Sequence, residues 1–392
     1  MRYLIFIILL LLPTYLIRFS VFNIPSTLLE ILIYIIFIMG IYRATRIGFK
    51  KPPWQMWAPI SLLVISLLIS TIISPDKRTA LGEFKGFFLD PLIVVWLIWQ
   101  FIKKEDIQKL FLALIGSGLF VSVHTIIQRI LGHTTSDGRA IGIFGYSPNY
   151  VALFLAPISV MAISLGTWFI IKKQYRMSAL LFLVSIINLS AIYFSGSRGG
   201  FLAVLAGLGI YFICQFWGWI RYRISAKIMI LILLLVGFYV AWTFFRPDLS
   251  ATPDAGRVAT SNNVRWQIWS ATLELGAKHP ILGVGLGNFQ NAFGEFTKTR
   301  ANFPEFITPF ALTPHNIFFM FWLSSGISGL IGLFWVIVSF LKESVKKISE
   351  PSAPILIAVF SSIILYGLVE ASIWKNDLSI IFWTIWGLIW LL

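Results

Sequence analysis

The chain has 392 residues, of which 58% are hydrophobic and only 12% charged, with a mean hydropathy of +0.86. Soluble domains carry about 25% charged residues, so a water-soluble globular fold is excluded and an integral membrane protein is expected. The formal net charge of +15 does not point to nucleic acid, because the basic residues fall in short clusters between apolar runs and form no continuous stripe.

A helix needs about 20 mostly apolar residues to cross about 30 Å of hydrocarbon, and by that measure about twelve spans are predicted. They lie near residues 3–22, 25–42, 57–74, 84–102, 107–131, 149–171, 177–195, 199–220, 228–245, 315–341, 353–370 and 376–392. The runs are continuous and lack a period of two, which excludes a strand barrel. Because every backbone group in hydrocarbon must be paired within its own segment, the expected fold is an all-α polytopic membrane bundle. The first run, MRYLIFIILLLLPTYLIRF, has the charge and apolar stretch of a signal peptide but no small-residue cleavage site, so it is read as an uncleaved first span. The single cysteine, Cys214, lies inside an apolar run, so no internal disulfide is available.

Basic residues follow every even-numbered span: Arg43, Arg46, Lys50 and Lys51; Lys103, Lys104 and Lys109; Lys172, Lys173 and Arg176; Arg221, Arg223 and Lys227; Lys342, Lys346 and Lys347. That alternation predicts cytoplasmic even-numbered exits and cytoplasmic N- and C-termini. Between spans nine and ten a long segment, 246–314, is expected outside the cytoplasm, where ordered loops of this length are usually functional. The chain thus divides into an N-terminal bundle over 1–245, this loop, and the C-terminal spans over 315–392. Within the loop, NVRWQIWSATLELGAKHP carries Val264, Ile268, Ala271 and Leu275 at helical spacing, with Asn262 or Asn263 as the expected cap and Gly276 as the expected stop. This helix is expected to lie at the membrane surface or the bundle mouth, with Trp266 and Trp269 beside its apolar face.

The outer face then collects the polar residues that carry chemistry. FSGSRGG places Arg198 among Ser195, Ser197 and Gly199 where a new helix begins. Free N–H groups, the positive end of the helix dipole and a planar guanidinium together suit an anion such as phosphate. The alternative is that Arg198 snorkels to lipid headgroups while the glycines pack helices. Arg139, Arg265 and His279 lie in outer loops, and the simpler readings are a solvated charge for Arg139, the polar face of an amphipathic helix for Arg265 and a helix-end histidine for His279. His315, between Pro314 and Asn316 where a span re-enters the membrane, can exchange a proton near neutral pH. Glu370 closes span eleven, and Lys375 and Asp377 open span twelve. The four histidines show no close pair at ligand spacing and the outer loops no carboxylate cluster, so no metal site is expected. SGSRGG also lacks the first glycine of a nucleophile elbow, which weighs against a Ser197–His315 protease. A transporter should carry ionisable residues at mid-bilayer, whereas these charges sit at span ends.

FSGSRGG opening a span, RWQIWSATLELGAKHPILGVGLGNF in one large outer loop, PHNIFF beginning the next span, and GRAIGIFGYSPNY before span six together resemble the O-antigen ligase and polymerase superfamily. The likeness covers roughly 130–340. It implies a multi-span glycosyltransferase without a cofactor or metal, in a bacterial inner membrane. Such an enzyme moves a glycan from an undecaprenyl-pyrophosphate carrier to an acceptor hydroxyl at the outer face. The acceptor is a glycolipid in ligases, a growing glycan in polymerases, and a serine or threonine in protein transferases. By resemblance Arg198 and Arg265 are the essential arginines and His315 the essential histidine. Arg139, Ser195, Ser197, Gly199, His279 and Asn316 then fall to pyrophosphate or glycan binding, with Glu370 and Asp377 as candidates for orienting the histidine or the acceptor.

Overall fold

The computed structural model describes residues 1–21, 24–145, 147–215, 261–300, 303–304, 307–308 and 311–392. The expected ninth span, the end of the eighth, the basic cluster Arg221, Arg223 and Lys227, and the turn-rich start of the outer loop lie outside the described residues. What is described is an all-α polytopic bundle, with one two-stranded hairpin as its only sheet among the described residues.

Seven described helices are long and apolar enough to cross a membrane. They are α2 (Leu28–Ile47), α3 (Trp54–Ile73), α6 (Ile107–Ile130, with a 3-10 turn before it), α7 (Pro148–Ile171), α8 (Tyr175–Ser195), α9 (Arg198–Gln215) and α12 (Ile317–Lys346). Four expected spans are built differently. The first is not one helix: α1 (Arg2–Leu10) stops before Pro13, a 3-10 turn covers Leu12–Leu16, and strands β1 (Arg18–Val21) and β2 (Ile24–Thr27) pair antiparallel. Pro13 lacks the N–H a continuing helix needs, which is the physical cause of the break. The fourth joins α4 (Lys77–Phe84) to α5 (Asp90–Phe101) through a π turn at Lys85–Leu89. The last two are α13 (Ala353–Tyr366) and α14 (Asn376–Leu388), both shorter than expected.

Local sequence sets the boundaries. Thr27 and Glu30 form a capping box at the start of α2, Ser147 caps α7, and Asn316 Oδ1 accepts from the backbone of Phe318 and Phe319 at the start of α12. Ionic contacts tie segments together at one end of the bundle: Arg2 pairs with Asp106 at 3.0 Å, and Lys104 with Glu350 at 2.5 Å. The other end holds the hairpin, the α6–α7 and α8–α9 turns, the start of α12 and the 367–375 connection.

The outer-loop helix is α10 (Ser261–Lys278), followed by α11 (Phe289–Lys298). Its described part starts at Ser261, with Asn262 and Asn263 in the first described turn. Gly276 does not end it. A Cβ there would stand 2.7 Å from the Trp322 ring, so the glycine lets α10 lie close against α12. Ile268, Ala271 and Leu275 are buried with Phe289, Phe293, Ile307, Ala311 and Leu323 in a separate small core, with Val264 packed beside it. At about 1.5–3 kcal/mol for each large side chain removed from water, this lobe has its own stabilisation. The following turn is stitched to an interruption of α12 at Ser325–Gly326: Val284 N donates to Leu323 O at 2.7 Å, and Ile327 N to Pro280 O at 3.1 Å.

Candidate active site

Glu370 lies just beyond α13 and is buried, at 5% exposure. Its Oε1 accepts from Arg265 Nη2 at 2.8 Å and from Asn149 Nδ2 at 2.7 Å, and its Oε2 meets His315 Nδ1 at 2.8 Å. Asn149 is oriented by its partners. Its Oδ1 accepts from Arg139 Nη2 at 2.8 Å, and Arg139 can only donate while an ionised Glu370 can only accept. Arg139 Nε in turn donates to Ser195 O at 2.7 Å, where a cation complements the C-terminal end of α8. One continuous network therefore joins the ends of α8, α7, α10, α12 and α13.

Burial by itself would raise the Glu370 carboxyl. The charge and hydrogen bond of His315, followed by those of Arg265, outweigh that and hold it well below the usual carboxylate range. As an acceptor only, it requires His315 Nδ1 to be the donor; in the neutral imidazole the free lone pair is then on Nε2. The backbone around His315 is constrained as well. His315 adopts φ 47, a left-handed conformation that non-glycine residues rarely take. It is held there by Trp269 Nε1 donating to Pro314 O at 3.0 Å, by Ile317 N donating to Gly367 O at 2.7 Å, and by Asn316 Nδ2 donating to Leu368 O at 3.0 Å.

Arg265, His315, Arg139 and Glu370 are thus brought together. Arg198 opens α9 beside them but is exposed, with no ion pair or hydrogen bond among the described residues. Its neighbour Ser197 binds Tyr366 Oη at 2.7 Å and caps α9 by accepting from Gly200 N at 3.3 Å. The other expected residues are placed as follows. Ser195 and Ser197 are buried, Ser195 Oγ donates to Ile192 O within its own helix, and the Ser197 hydroxyl is taken up by Tyr366 and Gly200 N. The small residues of FSGSRGG admit protein atoms: a Cβ at Gly196 would lie 2.9 Å from Arg139 Nε, and one at Gly199 3.0 Å from the Tyr366 ring. His279 is exposed beyond α10, and about 20 Å of helix separates it from Arg265. Asn316 is used as a cap and tether. Asp377 is buried and makes no hydrogen bond to His315; it accompanies Lys375 in a neighbouring compartment.

Two residues of this network give little or no signal in the sequence. Asn149 sits in the quoted SPNY stretch at the start of a span, the one place in that motif where an amide can face the outer end. Tyr366 lies inside an apolar run and gives no sequence signal. Among the described residues no group of three His, Cys, Asp or Glu side chains could hold a metal ion.

A bundle of membrane-length helices whose one end closes around a buried carboxylate, a histidine and arginines defines a polytopic membrane protein with an active-site-like polar centre. Residues 181–334 match the family model described as O-antigen ligase. The chain is 23% identical over 338 residues to an O-antigen ligase of Salmonella typhimurium (strain LT2), covering 81% of this chain and 78% of that protein. It is 22% identical over 348 residues to an uncharacterized protein of Haemophilus influenzae, covering 76% of this chain and 82% of that one. By these matches the chain is similar to O-antigen ligases.

Proposed function

We propose that the protein is a glycosyltransferase that moves a glycan from an undecaprenyl-pyrophosphate carrier to an acceptor hydroxyl at the extracytoplasmic face of a bacterial inner membrane, in the manner of an O-antigen ligase. The basic end of the bundle is then cytoplasmic, with both termini, and the Glu370 network faces outward. The observation that carries this reading is the 2.8 Å contact of His315 Nδ1 with Glu370, which in the neutral imidazole makes Nε2 the proton acceptor.

In the reaction, His315 Nε2 takes the proton of the acceptor hydroxyl as its oxygen bonds to the anomeric carbon. The bond from that carbon to the pyrophosphate oxygen breaks, and its electron pair leaves on the carrier. The negative charge that develops there is met by Arg198, whose guanidinium stands exposed at the N-terminal end of α9, and by Arg265. A fixed cation set of this kind can do what a metal does elsewhere, so activity should survive EDTA; a strict requirement for added divalent cation would overturn the arginine assignment. Arg198→Ala should lower transfer by about 10²–10³-fold, the usual cost of removing one charge-stabilising donor. Because Arg198 is exposed, expression and membrane insertion should be unchanged. Turnover of lipid-linked donor by the purified variant at the parent rate would remove Arg198 from the mechanism.

The ligase reading is preferred to a polymerase because both the family model and the Salmonella relative carry that description. The lipid-linked species that accumulates in a deletion strain tests it. Long chains on the carrier are expected, and single repeat units would identify a polymerase.

A further inference from the structure

Five residues after Glu370, Lys375 ends the connection that leads into α14. It is buried, at 8% exposure, and its Nζ has no hydrogen-bond partner among the described residues. It lies instead over three aromatic faces, with Nζ 3.9 Å from the ring centre of Tyr150, 4.4 Å from Phe144 and 5.2 Å from Tyr15. A desolvated ammonium over aromatic rings is a strong attraction, and it is directional enough to set a distance. The rings come from three separate places: the turn after α1, the α6–α7 turn and the first turn of α7.

Tyr150 is the residue next to Asn149, and Asn149 donates to Glu370. The chain from Glu370 to Lys375 and the step from Tyr150 to Asn149 therefore close a ring, tied on one side by the amide–carboxylate bond and on the other by the ammonium and its rings. Trp374 anchors the same connection from its other side, with Nε1 donating to Glu83 Oε2 at 3.1 Å. We propose that Lys375 is a positioning residue for the reaction: clamped by Tyr15, Phe144 and Tyr150, it holds Glu370 and Asn149 in register, so that Glu370 presents His315 in its reactive tautomer. This rests on the transferase reading above, and Lys375 itself touches neither substrate nor His315.

Burial pushes the Lys375 ammonium down to about 8. Asp377 on α14 works against that shift, and Arg18 on β1 adds to it; the phenols of Tyr15 and Tyr150 are the other titratable groups facing it. The clamp is therefore charged and closed below about pH 8 and loosens as the proton is lost above it.

The experiment uses the full-length protein in lipid nanodiscs, with glycan transfer from lipid-linked donor and hydrogen–deuterium exchange measured side by side. Lys375→Met should lower kcat by about tenfold or more while KM moves by less than about threefold. Exchange in 139–150 and 367–375 should rise together. Lys375→Arg should restore both and should move the basic limb of the pH profile upward, because a guanidinium does not titrate there. If Lys375→Met does not fold, Tyr150→Leu should reproduce its effects and Tyr150→Phe, which keeps the ring, should not. Parent-level kcat with an unmoved basic limb in Lys375→Met overturns the proposal. If the parent transfers no glycan, the transferase reading fails and the exchange arm decides alone: unchanged protection of the two segments in Lys375→Met sinks the clamp.

Discussion

Glu370→Gln should leave the protein folded and inserted while lowering transfer by about 10⁴-fold, the order of magnitude expected when an orienting carboxylate becomes an amide and the wrong histidine tautomer is presented. The amide keeps an oxygen for Arg265 and Asn149, but its nitrogen is a donor. His315 Nδ1, 2.8 Å from this position, must then become the acceptor, which puts the proton on Nε2 and disables it as a base. Glu370→Ala is a harsher change. It strips Arg265 of a partner at 2.8 Å in a site where Arg265 is 19% exposed, and breaking such a buried pair costs about 3–5 kcal/mol. Thermal unfolding separates the two variants. The acid side separates them from the parent. Because the folded carboxyl is held low, its stabilisation is complete above the ordinary carboxyl value of about 4.3 and is lost as pH falls through the depressed folded value. The parent should lose stability on acidification below that range, and Glu370→Gln should lack this component. Full activity in Glu370→Gln would show that His315 does not depend on the carboxylate.

His315→Ala should lower transfer by about 10²–10⁴-fold, the range contributed by a general base. The backbone offers a second reading of the same site. With φ 47, residue 315 carries the Cβ penalty of a left-handed conformation, so His315→Gly should be more stable than His315→Ala by about 1 kcal/mol while being equally inactive. Differential scanning of the two purified variants checks this. If alanine proves the more stable, the left-handed conformation is not the one the protein adopts.

Most of the bundle was legible from hydropathy, because apolar length is a strong constraint in a bilayer and each long helix announces itself. The first span was harder. Pro13 was visible in the run, but an apolar count does not register a missing N–H, and the helix ends there. Gly276 misled for a related reason: a glycine at a helix end and a glycine under a tryptophan from another helix look the same in sequence. At the site, Arg265 and His315 stood out because charge at a membrane edge is costly. Glu370, which joins them, is less conspicuous in the sequence because its partners lie 55, 105 and 221 residues away. Ser195 and Ser197 drew attention by their place beside Arg198, yet helix geometry turns both hydroxyls inward. Sequence neighbourhood marked the place, and only tertiary contacts distinguished the groups that face outward from those that hold the end together.

The separations have a consequence for synthesis. Asn149 leaves the ribosome 221 residues ahead of the carboxylate it will bind. Membrane helices are delivered to the bilayer in order, N-terminal segments first. Over most of that interval the early helices are in place with Arg139 and Asn149, and His315, made 55 residues before Glu370, waits for the connection after α13 to emerge. The Glu370 network is therefore completed only late in synthesis, and a chain that stops before residue 370 lacks the carboxylate that joins Arg265, Asn149 and His315.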